Sequence, residues 1–361
     1  MPSASTSASA PGRVNRIGEH TDYNGGFVLP TAIPQQTYVE LRPRPDRHVV
    51  ARSREGSPDG TFVVGQERRQ GHWFDYVQGL TWALQRGGFR LANGFDLQVR
   101  SDVPLGGGLS SSASLEVAVL RALRSAFGLD LDDVRLAQLG QLAENEFVGA
   151  RCGIMDQMAA SLADSSTALF LDTRSLAYRR LPLPAQADLV VIHSGVTHQI
   201  ADSSGGGGIQ SEYNARRADC ERAAELLGVP QLRDLRDSDL DRLQALPERL
   251  ARRARHVITE NERVLQAVAA IEAADVARLG ALFMASHSSM RDDFEVSTVE
   301  IDVLVELAAA DDDVYGARLT GGGFGGAVVI LARGGRGRAV GERVAGAYRS
   351  RSGHPPTVLV P

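Results

Sequence analysis

Residues 104–114, Pro-Leu-Gly-Gly-Gly-Leu-Ser-Ser-Ser-Ala-Ser, constrain the fold more than any other stretch of the chain. They follow a strand-like alternation at 95–99 and open an apolar helical run at 115–127. Consecutive glycines leave backbone N–H groups unshielded, and the start of the following helix presents more of them. A strand–loop–helix unit of this kind offers a seat for an anion. Ser110, Ser111 and Ser112 add hydroxyls that donate to phosphate or ligate a hard cation. A plain loop with serine caps fits the same residues. The basic residues narrow the choice of chemistry: all 39 are arginine, and the chain has no lysine. A Walker A loop, a protein-kinase fold and a Schiff-base enzyme each need a lysine from the chain and are excluded.

Strand-like runs occur at 27–29, 37–41, 48–51, 61–64, 168–172, 189–193, 315–320 and 327–332. Helical spacing occurs at 73–84, 136–147, 212–227, 257–274, 276–286 and 338–349. The pattern predicts an α+β chain, and 361 residues fit about two domains. A proline-marked stretch at 181–185 sets the expected boundary near residue 183, giving domains 11–183 and 184–361. Residues 1–10, rich in serine and alanine, are expected to form a flexible tail. The four glycines at 205–208 are expected to form a flexible surface loop.

With 43% hydrophobic and 23% charged residues, the chain is globular rather than disordered. A net charge of -5 gives no pull toward nucleic acid. No run approaches the roughly 18 apolar residues of a membrane span, and the start lacks a signal-peptide pattern. Two cysteines, Cys152 and Cys220, cannot build a disulfide framework, so the chain reads as intracellular and cytoplasmic.

Two further glycine-rich segments carry chemistry. Residues 319–326, Leu-Thr-Gly-Gly-Gly-Phe-Gly-Gly, contain a formal G-x-G-x-x-G match at Gly321, Gly323 and Gly326. A dinucleotide fingerprint must open a helix; here a strand pattern follows, so that reading is rejected. A tight connector lying against a ligand, or a plain hairpin, remains. Residues 11–26, Pro-Gly-Arg-Val-Asn-Arg-Ile-Gly-Glu-His-Thr-Asp-Tyr-Asn-Gly-Gly, gather Glu19, His20 and Asp22. Several acceptors and one switchable donor suit a polyhydroxyl ligand, although a polar surface turn uses the same residue types.

Together the three segments resemble the GHMP small-molecule kinases. Residues 11–26 resemble that family's galactokinase signature almost letter for letter. The likeness continues, in the family's order, through Cys152-Gly-Ile-Met-Asp-Gln157, Tyr213-x-x-Arg-Arg217 and the segment 286–297 to about Arg349. It implies a two-domain α+β GHMP kinase fold. The N-terminal domain would be like ribosomal protein S5 domain 2, the C-terminal domain ferredoxin-like, and the active site would lie between them. The implied reaction transfers the γ-phosphate of MgATP to the anomeric hydroxyl of D-galactose, in a monomeric enzyme whose partners are small molecules.

The resemblance also implies roles for single residues. Asp156 faces the reacting hydroxyl, where a plain helix cap is the local alternative. Arg13 is its partner and stabilises charge on the transferred group. Ser112 and Glu144 are the implied Mg2+ ligands. Glu19, His20, Asp22, Gly153, Asp156 and Tyr213 are the implied sugar residues. Gly106, Gly107, Gly108, Leu109, Ser110, Ser111 and Ser112 are implied at the nucleotide, with Trp73 beside the base and Gly322 and Gly323 lining the site.

Three features depart from the pattern. Galactokinases carry a further helical stretch before the signature, where this chain has about ten residues. Arg16 stands where an aliphatic residue is usual, so its side chain is expected to reach solvent or an acid. Residues 203–210 read as an insertion before Tyr213. Three rivals stay open: the same chemistry on N-acetylgalactosamine or arabinose, a non-catalytic galactose and ATP sensor, and an inactive fragment.

Overall fold

The computed structural model describes residues 5–54, 57–105, 108–197 and 209–359. In chain order the first elements are β1 (Thr6–Asn15), β2 (Phe27–Val28), β3 (Pro30–Pro43), β4 (His48–Ser53), β5 (Gly60–Val63), α1 (Asp75–Arg86), β6 (Phe95–Ser101) and α2 (Ser111–Phe127). Then come α3 (Asp133–Leu142), a π-turn (Ala143–Val148), α4 (Met155–Leu162), β7 (Thr167–Asp172), β8 (Tyr178–Pro182) and β9 (Ala187–Thr197). The last elements are α5 (Ile209–Leu226), α6 (Glu248–Glu272), α7 (Val276–Asp292), α8 (Val299–Ala309), β10 (Val314–Thr320), β11 (Gly325–Arg333), α9 (Gly337–Ser352) and β12 (Thr357–Leu359). The chain is α+β, as expected. Among the described residues no helix is long and apolar enough to cross a membrane.

The chain folds as two compact units. The first comprises the chain up to residue 13 with 32–105 and 109–163. Its sheet has the order β1-β3-β6-β4-β5. β3 runs antiparallel to β6, with Thr37 opposite Ser101 and Pro43 opposite Phe95, while β4 runs parallel to β6. Period-two alternation gives this sheet one apolar face. Val39, Leu41, Leu97 and Val99 point inward and pack with Val77, Leu80 and Leu84 of α1 and Val117 and Leu120 of α2. The expectation of a flexible tail over 1–10 is corrected here, because residues 6–10 belong to β1. They are fixed from α2: Ser114 Oγ donates to the Ala10 carbonyl at 2.7 Å, and Arg121 Nη1 donates to the Ser9 carbonyl at 2.7 Å.

The second unit comprises 14–31, Gly108 and the described residues from 164 onward. Its main sheet, β10-β11-β9-β12, is antiparallel throughout. β11 is buried on both faces, so it reads as the unbroken apolar run Ala-Val-Val-Ile-Leu-Ala at 327–332. Its core combines Val328 and Ile330 with Val190 and Ile192 of β9, Val257 of α6, Leu304 of α8 and Val344 of α9. A smaller sheet pairs β2 with β7 and β7 with β8, and both β2 and β8 pack on α6. That pairing draws residues 14–31 and 164–183 into the second unit, so the units are interleaved rather than divided near residue 183. Residues 203–208, most of the expected insertion and the whole glycine run within it, lie outside the described residues.

The reading of Arg16 is also corrected. It is only 4% exposed, no acid pairs with it among the described residues, and its Nε is buried without a hydrogen-bond partner. Burial pushes its proton affinity down to about 10. Its backbone N–H donates to the Leu29 carbonyl at 3.1 Å, and its carbonyl accepts from Arg318 Nη1 at 2.9 Å.

Candidate active site

In the first unit, chemistry gathers where the end of β1, the start of α2 and the start of α4 converge. Gly12 permits the approach: a Cβ there would lie 2.8 Å from the Leu109 carbonyl oxygen. The next residue, Arg13, donates its own N–H to that carbonyl at 3.1 Å. Arg13 Nε donates to Asp156 Oδ1 at 2.8 Å, and Nη2 lies 2.6 Å from the same oxygen. Ser110 Oγ donates to Asp156 Oδ2 at 2.6 Å. Each carboxylate oxygen thus has a donor, while the side chain stays about a quarter exposed. Charge-assisted bonds of this kind are strong and directional. Ser110 sits in the left-handed region, φ 61, at the entry to α2. That conformation is uncommon outside glycine, and here it accompanies the contact with Asp156. Local sequence offers no sign of this second partner.

A buried polar cluster adjoins Asp156. The π-turn carries Glu144, which is 7% exposed. Gln157 Nε2 donates to Glu144 Oε2 at 2.7 Å and to Glu116 Oε2 at 3.0 Å. The Ser112 hydroxyl favours the charged form of Glu144. Burial first, then the charge of Asp156, raises Glu144 to about 7. Burial and the neighbouring Glu144 push Glu116 well above its ordinary value. Asn145 clamps the loop before α4: its Oδ1 accepts from the Cys152 N–H at 2.8 Å, and its Nδ2 donates to the Cys152 carbonyl at 3.2 Å. Gly153 is buried in that loop. Glu116, Asn145 and Gln157 are additions to the sequence reading. Among the described residues no three His, Cys, Asp or Glu side chains group as a metal centre. The Ser112 hydroxyl and Glu144 carboxylate are hard oxygens that interact, and two such donors suit an ion that keeps most of its waters.

In the second unit, Glu19 is 1% exposed and is the hub. Its Oε1 accepts from Thr320 Oγ1 at 3.1 Å and the Gly321 N–H at 3.0 Å. Its Oε2 accepts from Asn15 Nδ2 at 3.0 Å and from Arg318 Nη2. These four donors use a carboxylate's full acceptor capacity. Burial raises Glu19, and Arg318 opposes that rise. Arg318 is fully buried; its Nε donates to Ser286 Oγ at 3.1 Å and its Nη1 to the Asn15 carbonyl at 3.2 Å. Glu260 accepts from Ser286 Oγ and Arg263 Nε at 2.6 Å each, and from the Gly18 N–H at 2.9 Å. Burial works against its ionisation, but Arg263, then His256 and Arg318, pull Glu260 down to about 2. An arginine inside the apolar strand β10 was the available sign of this network, since a buried charge needs partners.

Around this hub stand the other signature residues. His20 is buried in the left-handed region, φ 63, with its carbonyl held by Asn24 Nδ2 at 2.8 Å. Its ring lies 4.6 Å from that of Phe294 and 5.5 Å from that of Tyr213, centre to centre. Asp22 is half-buried in the turn that follows, and its Oδ1 accepts from the Tyr23 N–H at 2.9 Å. The glycine connector touches the same aromatic group: a Cβ on Gly322 would lie 3.4 Å from the Tyr213 ring. Gly323 cannot carry a side chain, because at φ 85 a Cβ would sit 2.5 Å from the Val296 carbonyl oxygen.

The structure therefore brings Arg13, Ser110 and Asp156 together in the first unit, with Ser112 and Glu144 beside them. In the second unit it brings Glu19, His20, Tyr213 and Gly322 together. Leu109 is buried, and Ser111 is half-buried at the first position of α2. Gly108 has φ 69 and lies backbone to backbone with Gly321. Gly106 and Gly107 lie outside the described residues. Trp73 packs edge-on against Phe74, with its Nε1 donating to the Pro58 carbonyl at 2.8 Å.

Comparison with known proteins gives concordant results. Residues 2–43 match the galactokinase galactose-binding signature, 75–164 the GHMP kinases N terminal domain and 267–350 the GHMP kinases C terminal family. The galactokinase of Chloroflexus aurantiacus is 47% identical over 334 residues, covering 90% of this chain and 83% of that protein. The galactokinase of a Roseiflexus species is 44% identical over 358 residues, covering 97% and 89%. The crystal structure of Lactococcus lactis galactokinase complexed with galactose superposes with a TM-score of 0.92 at 34% identity, covering 99% of this chain and 92% of that one. Methanococcus jannaschii mevalonate kinase shares the fold, with a TM-score of 0.66 at 15% identity over 99% of this chain and 98% of its own.

Proposed function

The chain belongs to the galactokinase family of the GHMP kinases, and on that premise we propose that it transfers the γ-phosphoryl group of ATP to the anomeric hydroxyl of D-galactose. The products are galactose 1-phosphate and ADP. The observation that carries the chemistry is the Asp156 carboxylate, held through one oxygen by Arg13 and through the other by Ser110. Phosphoryl transfer depends on positioning and charge stabilisation more than on covalent help. A fixed carboxylate accepts a hydrogen bond from the attacking hydroxyl, aligns its oxygen with phosphorus, and receives the proton as the new P–O bond forms and the bond to ADP breaks. Arg13 keeps Asp156 aligned and places positive charge where the transferred group develops negative charge.

Ser112 and Glu144 would hold Mg2+. When bound, that ion neutralises charge on the β- and γ-phosphate oxygens. The amides and hydroxyls of Gly106, Gly107, Gly108, Leu109, Ser110, Ser111 and Ser112 take the phosphates at the start of α2. Trp73 neighbours the base, and Gly322 and Gly323 line the nucleotide. His20, Asp22, Gly153, Asp156 and Tyr213 take the sugar hydroxyls. Glu19 joins them as the anchor of the connector: four donors already engage its oxygens, so a sugar hydroxyl enters there only as a shared contact. The enzyme acts as a cytoplasmic monomer on small molecules.

The test is ADP release by the purified chain with MgATP across D-galactose, N-acetylgalactosamine, L-arabinose and D-glucose. Turnover confined to galactose supports the proposal. Faster turnover on another of these sugars replaces galactose as the substrate. Binding of galactose and ATP without turnover moves the chain to the sensor class.

A further inference from the structure

His20 is a buried ring with one partnered and one unpartnered nitrogen. Its Nδ1 lies 2.9 Å from the Tyr23 hydroxyl, while its Nε2 is buried and has no hydrogen-bond partner. The ring stays neutral, because burial, with the charges of His256 and Arg216, pushes it down to about 3. The open question is therefore its tautomer, which decides whether Nε2 offers a proton or a lone pair.

Counting unsatisfied groups settles the direction. The Tyr23 hydroxyl has His20 Nδ1 as its hydrogen-bond partner among the described residues. If Nδ1 carried the proton, Tyr23 would accept it. The Tyr23 proton would then have no acceptor among the described residues, and the Nε2 lone pair would be left unpaired in the interior. If Tyr23 donates to Nδ1, the proton moves to Nε2, and the Nε2–H alone awaits a partner. Each buried unpaired polar group costs about 1–3 kcal/mol, so the second arrangement wins. The geometry is fixed locally. The left-handed backbone at His20, closed by Asn24 Nδ2, and the short turn Asp22–Asn24 set Tyr23 against the edge of the ring. Tyr213 packs edge-on against Tyr23 at 5.5 Å. The Tyr213 and Phe294 rings flank the His20 ring. Gly322 favours the protonated ring but makes no bond of hydrogen-bond geometry with it.

We propose that Tyr23 is a positioning residue that locks His20 as the Nε2–H tautomer, so that His20 presents a fixed donor to an acceptor oxygen of a sugar hydroxyl. The proposal rests on the sugar-binding reading above and adds a direction to it: His20 gives a hydrogen bond and does not take one. A fixed donor discriminates among sugars, since a sugar without an oxygen at that place leaves the donor buried and unpaired.

The experiment uses the full-length enzyme with 15N-labelled histidine. Long-range proton–nitrogen NMR reads the tautomer of each ring, and the His20 signals are those lost in His20→Gln. The proposal expects Nε2–H in the free wild type and a shift of that nitrogen on adding galactose. In Tyr23→Phe it expects a mixed tautomer and a galactose KM raised roughly tenfold, with kcat changed much less. Glutamine places its amide N–H where Nε2 lies and asparagine where Nδ1 lies. His20→Gln should therefore hold KM closer to the wild type than His20→Asn does, and Tyr23→Phe should add little in the His20→Gln background. An Nδ1–H tautomer in the wild type overturns the proposal. So does a Tyr23→Phe enzyme with unchanged tautomer and KM, or one that loses kcat and not KM. The tautomer reading needs no turnover, so it stands apart from failure of the galactose reading, which wild-type ADP release reports by itself.

Discussion

Replacing Arg16 with methionine is expected to stabilise the protein. No acid among the described residues pairs with its guanidinium, its Nε is buried without a hydrogen-bond partner, and burial alone lowers its proton affinity, to about 10. The fall from the ordinary arginine value spans about two and a half powers of ten. At about 1.4 kcal/mol for each, keeping the head charged in the fold costs about 3 kcal/mol. Methionine keeps an unbranched stem and discards the charge. It gives up packing where the guanidinium lay, of order 1 kcal/mol, which leaves a net gain of about 2 kcal/mol. At roughly 2 °C per kcal/mol for a chain of this size, Tm rises by about 4 °C at pH 7. The pH dependence has a definite sign. Below about pH 10 both folded and unfolded wild-type chains hold the proton, and the penalty is full and constant. Above it the folded chain releases the proton first, the unfolded state binds more protons, and wild-type stability rises. The advantage of the variant should therefore narrow as pH climbs past about 10. Calorimetric melting of both proteins from pH 7 upward measures this difference, and other titrating groups cancel in it. A variant no more stable at pH 7, or an advantage that does not narrow at high pH, would refute the account of Arg16 as an unpaired buried charge.

Asp156→Asn keeps the shape of the side chain but removes its charge and its capacity to take a proton. kcat should fall roughly a hundred- to ten-thousand-fold, with ATP affinity by titration calorimetry nearly unchanged; retention of most of the turnover removes Asp156 from its role. Tyr213→Phe should raise the galactose KM by roughly fivefold, and an unchanged KM places the hydroxyl outside the sugar site. Glu260→Gln should destabilise the fold near neutral pH by about 3 kcal/mol, since the carboxylate is held down to about 2 inside the protein. That contribution is present above the ordinary glutamate value and is lost as pH falls toward about 2. Urea midpoints of the two proteins should therefore converge on acidification, and a gap that stays constant contradicts the assignment.

Much of the fold was legible because its signals are local. The glycine and serine run before α2, the unbroken apolar run of β11 and the glycine connector between β10 and β11 each announce their structure within a dozen residues or so. The errors lie where structure is imposed from afar. The serine- and alanine-rich start of β1 has little strand propensity of its own, and Ser114 and Arg121 of α2 hold it in place. The interleaving of the two units depends on β2 pairing with β7, whose residues lie more than a hundred positions away in sequence. No local pattern reports such a pairing. At the site, residue types and order carried the resemblance, but the partnerships came from the fold. Asp156 finds Ser110 across 46 residues and Glu19 finds Arg318 across 299. Arg16 follows the same logic: the fold around it leaves it 4% exposed, which residue type alone does not report.

The most direct test of the central claim is the structure of the product. Purified enzyme, MgATP and D-galactose should yield one phosphorylated sugar whose phosphorus couples to the anomeric proton in NMR, formed in step with ADP, and the same mixture with Asp156→Asn should yield none on that timescale. Phosphate on any other hydroxyl, or ADP released without a phosphorylated sugar, contradicts the account.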